Sequence, residues 1–202
     1  MDNKHEAGQL ARFREALSGE SIYPTTKSIC DYIINTGERI LLRKYDILID
    51  YNEMNDNVYF ILEGIMRLSI ISDKGTERTE GFGLCGSMVC STQCYTLGKP
   101  SLVQLQACCD TVLLKIPKTE LSRHIVENHE FCLWIYGMSE LTVCYREMRS
   151  YGFTGDAAVR YRWLKEERPE ILKKIPAKII ASYLNISEVH LSRIKRKLLN
   201  ED

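Results

Sequence analysis

Three features of the chain predict an α+β fold with unlike halves. Residues 39–116 are short β-rich runs separated by turn signals, residues 130–150 carry one long helical stripe, and the carboxyl end holds two short amphipathic helices joined by a tight turn. The first feature predicts a small antiparallel β-barrel or jelly roll, and the last predicts a helix-turn-helix. At 202 residues the chain can hold one large or two small domains, and 45% hydrophobic content is ordinary for a globular protein with its own core.

Residues 1–20 are polar and charged, with Gly8 and Gly19, and are expected as a frayed helix or a disordered segment with no assigned role, within an amino-terminal arm of residues 1–27. From Ser28 to Thr36 the set Ile29, Tyr32 and Ile33 has helical spacing, and Gly37 ends it. Strands are expected at residues 40–42, 47–49, 58–62, 66–71, 103–107 and 111–116, so that 28–129 forms the β-barrel domain. Glu63-Gly64 and Asp73-Lys74-Gly75 supply tight turns, because glycine takes positive φ without a Cβ clash. Pro117 to Leu121 opens a short helix, and His124 and His129 beyond it read as surface or capping residues.

The long helix over 130–150 presents Trp134, Met138, Leu141, Tyr145 and Met148 at spacings of four, three, four and three. This is the seam of a two-stranded coiled coil, and over two heptads it is equally the face of a helix lying on its own barrel. The dimer seam is the favoured reading, since Cys132, Ile135 and Val143 offer a second apolar edge to cover the barrel. Gly137 beside the seam costs a helix roughly 1 kcal/mol relative to alanine, which close approach of a partner backbone would rationalise. Residues 151–156, with Gly152 and Gly155, break the helix as a hinge, and a further helix from Ala157 to about Glu167 leads into the carboxyl-terminal domain, 157–202.

In that domain Pro176 suits a first helical position, and Ile179, Ile180, Tyr183 and Leu184 form one apolar stripe. Asn185 is a left-handed stop, Ile186 is buried in the turn, and Ser187 caps a second helix reaching about Leu199. Leu191, Ile194 and Leu198 face inward on that helix. Glu188, Val189, Ser192, Arg193, Lys195 and Arg196 then face outward, with His190 at the edge. A basic stripe is often no more than solvated surface. Here the three-residue turn and the small Ala181 match the motif in which a second helix enters the major groove of double-stranded DNA.

Net charge is zero, yet residues 157–202 hold eleven Lys and Arg against six Asp and Glu, while residues 1–156 hold sixteen against twenty-one. A basic carboxyl-terminal lobe on an acidic body is what phosphate neutralisation predicts. No apolar run is long enough to span a membrane and the amino terminus has no signal-peptide core, so a cytoplasmic protein without membrane association is expected. In that reducing compartment the eight cysteines are expected as free thiols.

The order of barrel, long helix, glycine hinge and terminal helix-turn-helix resembles the Crp/Fnr family of bacterial transcription regulators over about residues 28–199. Val58 to Arg67 is similar to the family's strand-turn-strand signature, and Ser187 to Arg193 to the start of its recognition helix. The resemblance implies a cyclic-nucleotide-binding-like sensor, a winged helix-turn-helix, a homodimer, and RNA polymerase as a further partner. It also implies that Arg193 reads guanine, that Val189 stands where many relatives carry a glutamate, and that Ser187 and Ser192 bond phosphate or bases. Lys178, Lys195 and Arg196 would clamp phosphates.

The sensor departs from the family. Relatives that bind cyclic AMP use a Gly-Glu pair and then an Arg-Ser/Thr-Ala run; here the matching positions are Gly86-Ser87-Met88 and Lys99 to Leu102. Ser87 replaces the glutamate, Ser101 the arginine and Leu102 the hydroxyl residue, while Lys99 is a flexible point charge rather than a planar fork. Cyclic AMP is therefore not the expected ligand, and Gly86, Ser87, Met88, Lys99, Ser101 and Leu102 are left as a pocket for a less charged effector. Cys85, Cys90 and Cys94 lie close in sequence, but without a C-x-x-C pair they argue for neither metal nor cluster, and no cofactor is expected. No cysteine has an adjacent histidine and orienting carboxylate, and no glycine-rich nucleotide loop appears, so an enzyme is not expected. The competing reading is an effector-binding or cysteine-based redox or metal sensor whose basic terminus serves a protein partner.

Overall fold

The computed structural model describes residues 3–72 and 75–199. Eight strands form two four-stranded antiparallel sheets: β1 (Glu38–Leu42), β2 (Ile47–Ile49), β3 (Asn57–Glu63), β4 (Met66–Ile71), β5 (Glu77–Gly83), β6 (Met88–Val89), β7 (Gln104–Ala107) and β8 (Thr111–Pro117). One sheet has the order β1-β8-β3-β6 and the other β2-β7-β4-β5, the jelly-roll form of the expected barrel. The six expected strands are present, and β5 and β6 are additional.

Helices flank these sheets: α1 (Asn3–Leu17), α2 (Lys27–Thr36), α3 (Thr92–Leu97), α4 (Lys118–Glu127) and α5 (His129–Gly152). Four more follow, α6 (Ala157–Glu167), α7 (Pro169–Lys174), α8 (Ala177–Tyr183) and α9 (Glu188–Leu199). None of the helices described is long and apolar enough to cross a membrane. The wing of a winged helix-turn-helix has no counterpart among the described residues of 157–199, which contain helices and no strand. Only Ile175 and Pro176 separate α7 from α8, too few residues for a hairpin.

Strand β3 explains the layering. Val58, Phe60 and Leu62 face the helices, joining Phe13, Leu17, Ile33, Leu114, Ile116 and Trp134, while Tyr59 and Ile61 face the other sheet, joining Ile49, Met66, Leu105 and Leu113. Both faces are covered, so this antiparallel strand reads as one continuous apolar run instead of alternating. Gly64 (φ 102°) closes the β3–β4 turn, where a Cβ would stand 2.4 Å from the Thr111 hydroxyl. Of the other expected turn, Gly75 has φ 74°, and Asp73 and Lys74 lie outside the described residues.

Two expectations are corrected here. The amino-terminal arm is not free: α1 buries Phe13 and Leu17 completely, and Gln9 bonds Glu63 and Arg39. The α5 stripe is also divided. Trp134 and Met138, expected in a dimer seam, are 0% and 5% exposed within this chain's own core. The segment between α1 and α2 folds over that half of α5, where Ser21 Oγ donates to the Trp134 carbonyl (2.8 Å) and Trp134 Nε1 donates to Thr25 Oγ1 (2.8 Å). Gly137 is needed for the same contact, since a Cβ there would stand 2.5 Å from Ser21 Oγ and 2.7 Å from the Tyr23 ring. Its close approach is to the chain's own loop and not to a partner backbone.

Candidate nucleic-acid interface

The turn between α8 and α9 is built by local rules. Pro176 stands as N-cap of α8 (ψ 145°), one position before the expected first turn, and Asn185 takes the left-handed conformation (φ 54°) that stops the helix. The Asn185 and Ile186 amides donate to the Ser182 and Ala181 carbonyls (3.1 and 3.0 Å), so two backbone donors of the turn are paired within it. Ser187 Oγ accepts from the His190 amide (3.2 Å), capping α9. Ile180, Ala181, Tyr183, Leu184 and Leu191 pack into one core with Leu164 and Ile171, and Ile194 is also buried.

That packing turns the other side of α9 outward. Ser187, Glu188, Val189, His190, Ser192, Arg193 and Arg196 are exposed, Lys195 is half-buried, and Lys178 is exposed at the start of α8. The structure thus brings the expected reading residues onto one surface. Val189 is an apolar side chain left 62% exposed.

The hinge is stiffened by aromatic packing. The Phe153 ring meets Trp163 and Tyr183 edge-on at centroid distances of 5.8 and 5.5 Å, and a Cβ on Gly152 would stand 2.9 Å from the Trp163 ring. The Asp156 carboxylate caps α6 by accepting from Ala158 and Val159 (2.9 Å each), and these bonds hold its pKa below the ordinary value. Beyond the hinge, the helical unit docks on the sheet. Ile65 and Cys108 are buried with the core of α6–α9, and Phe82 lies 5.2 Å from Tyr183. The edge strand β5 donates its Thr79 amide to Ser182 Oγ (3.0 Å), a contact between sheet and α8 that carries no local sequence signal. A cleft of about 700 Å³ opens beside it, lined among others by Glu77, Arg78, Lys178, Asn185 and Ser187.

Several of the expected effector residues are tied into other contacts of the chain. Gly86 (φ 92°) is pressed against α1, where a Cβ would stand 2.8 Å from the Ala16 carbonyl carbon, so the arm takes the space beside it. Ser87 Oγ donates to Glu20 (3.1 Å), a carboxyl whose pKa burial raises, and Met88 packs on the core beneath the helices. Ser101 is buried and closes its own turn on the Val103 carbonyl (2.7 Å), while Lys99 and Leu102 are exposed. Among the described residues no three His, Cys, Asp or Glu side chains gather as a metal would require. Burial pushes the Cys90 thiol up to about 11 and the Cys108 thiol up to about 12, far from the thiolate range of redox sensors. His124 stacks on Tyr32 at 3.5 Å, a packing role rather than a surface one.

This fold defines a class: a jelly roll carrying a long helix and a carboxyl-terminal helical unit. Residues 39–128 match the cyclic nucleotide-binding domain family model. Among solved structures the chain is similar to FixK2 from Bradyrhizobium japonicum (TM-score 0.71, 16% identity, covering 82% of this chain and 85% of that one). It is also similar to the c-di-GMP-responsive global regulator CLP of Xanthomonas campestris (TM-score 0.67, 13% identity, 85% and 90%). The Thermus thermophilus catabolite activator protein aligns over 92% of this chain and 87% of its own, with a TM-score of 0.54 and 16% identity. At these identities the likeness is one of fold. Among curated proteins no sequence relative matches.

Proposed function

We propose that the protein is a homodimeric, sequence-specific transcription regulator of the Crp/Fnr type that does not respond to cyclic AMP. The observation that carries this reading is the exposed face from Ser187 to Arg196, capped by Ser187 and aimed by the left-handed Asn185. Arg193 is the base reader, offering a bidentate pair to guanine, and Val189 is placed to meet a thymine methyl. Ser187, Glu188, His190 and Ser192 border them, and Lys178, Lys195 and Arg196 hold phosphates. In a dimer two such helices enter successive major grooves.

The free half of the α5 stripe supports the dimer. Leu141 is half-buried, and Tyr145 and Met148 are 41% and 39% exposed, past the point where the chain's own core covers the helix. Against cyclic AMP stand the serine at position 87, already committed to Glu20, and the press of α1 on Gly86. The regulator acts in the cytoplasm, with RNA polymerase as a further partner.

Selection of bound duplexes from a random pool, followed by titration with salt, tests this function. The expected result is one recovered near-palindromic motif and an affinity that falls steeply with salt, as counterion release requires. Recovery of no motif, with a flat salt response, refutes it and favours a sensor whose basic terminus serves a protein partner.

A further inference from the structure

A second cleft, of about 360 Å³, lies where β5, the end of α5, the hinge and α8 meet. Arg78, Arg146 and Arg149 face it, opposed by the one carboxylate of Glu80, which leaves two positive charges in excess. Glu80 is shared: Arg78 Nε lies 2.5 Å from one oxygen and Arg149 Nη1 3.2 Å from the other. Arg146 has no ion pair among the described residues. The Arg149 guanidinium lies 4.7 and 5.0 Å from the centroids of the Phe153 and Tyr183 rings, yet its buried Nε has no hydrogen-bond partner among the described residues. A buried donor left unpaired is costly, so a fixed, under-satisfied fork beside an unpaired arginine is suited to a planar-sided or tetrahedral oxyanion. The Thr154 hydroxyl lines the same space.

We propose that this cleft binds a small phosphorylated molecule whose phosphate takes Arg146 and shares Arg78 and Arg149 with Glu80. The volume admits a phosphorylated sugar or a mononucleotide-sized metabolite. Its consequence for DNA rests on the regulator reading: a phosphate competing with Glu80 alters the tie between β5 and Arg149 at the end of α5, and, through the contact of Arg149 with Tyr183, the setting of the reader.

The test is calorimetric titration of the full chain with inorganic pyrophosphate at constant ionic strength, without DNA, so that it stands whether or not the reader binds a duplex. Saturable binding of one anion per chain is expected, weakened by at least about tenfold in Arg146→Ala and tightened several-fold in Glu80→Gln. Arg146 is exposed, and a thermal melt matching the parent's verifies that its variant is folded. Heat that does not saturate below about 10 mM, or affinities of both variants equal to the parent's, overturns the proposal. So does an Arg146→Ala variant that binds pyrophosphate normally but loses duplex affinity and salt dependence, which would assign the arginines to DNA backbone phosphates.

Discussion

Asn185, Ser187 and Arg193 show how single residues build the proposed reading surface from short-range rules. A left-handed residue reverses the chain, a hydroxyl caps the next helix, and helical spacing turns the arginine outward. Under the proposed function, Arg193→Ala relaxes discrimination at one base pair per half-site by about 1–3 kcal/mol with an unchanged melting curve. A competition assay against singly substituted duplexes measures it, and equal specificity removes Arg193 as reader. The thiols give a second expectation. Cys108 and Cys90 are kept protonated by burial, whereas Cys144 is exposed. At pH 8 iodoacetamide should label Cys144 and spare the other two, and mass spectrometry of the alkylated chain reads the outcome. The sign follows from linkage. A thiol whose folded pKa is raised contributes its stability below its unfolded pKa, near 9, and loses it as pH climbs toward 12. Urea midpoints should therefore fall across that alkaline range.

At the scale of elements, α5 has one stripe and two destinations. Its first half, Phe131 to Met138, is sealed by the 21–25 segment and the jelly roll; its second half runs on past the core with Tyr145 and Met148 partly exposed and the Arg168 guanidinium 5.3 Å from the Tyr145 ring. Tyr145→Asp combined with Met148→Asp should convert a dimer to monomer in sedimentation equilibrium without disturbing the fold, because neither side chain is in the core. An unchanged mass would remove α5 from the interface. Helical spacing identified the stripe but not its division, because periodicity records that a face is apolar and not what covers it. Among the elements that escaped, α1 and β5 did so for different reasons. Leu10, Phe13 and Leu17 in α1 carry the three-and-four spacing of a buried helix, a signal masked by the charged residues around it. Strand β5 had no such signal, since an edge strand reading Glu-Arg-Thr-Glu-Gly-Phe-Gly is polar and glycine-rich.

At the scale of the molecule, the carboxyl-terminal unit and the jelly roll share one core. Moving the carboxyl-terminal unit away from the sheet would uncover Ile65, Cys108 and part of Phe82, at roughly 1.5–3 kcal/mol for each large apolar side chain fully exposed. Any signal that repositions the reader has to offset that cost by binding one arrangement better than the other. Ser182→Ala leaves the Thr79 amide of β5 without its partner and should loosen the junction by about 1–3 kcal/mol. Faster hydrogen exchange at Thr79 and in α8, with β3 and β8 unchanged, would demonstrate a junction that opens apart from the jelly roll; uniform acceleration would mean that the two units unfold together.

What the sequence by itself determined was everything set by neighbours along the chain. The six apolar strands, the stops at Gly37 and Asn185, the cap at Ser187, and the outward basic face of α9 all follow from φ preferences and periodicity. Only the tertiary structure decided that α1 fills the space beside Gly86, that Trp134 and Met138 belong to the chain's own core, and that Ser182 reaches Thr79. Ser182 and Thr79 are 103 residues apart, and Ser21 and Trp134 are 113 apart. Contacts over such separations depend on how layers stack, and burial is non-directional, so an apolar face accepts whichever surface the packed chain brings to it.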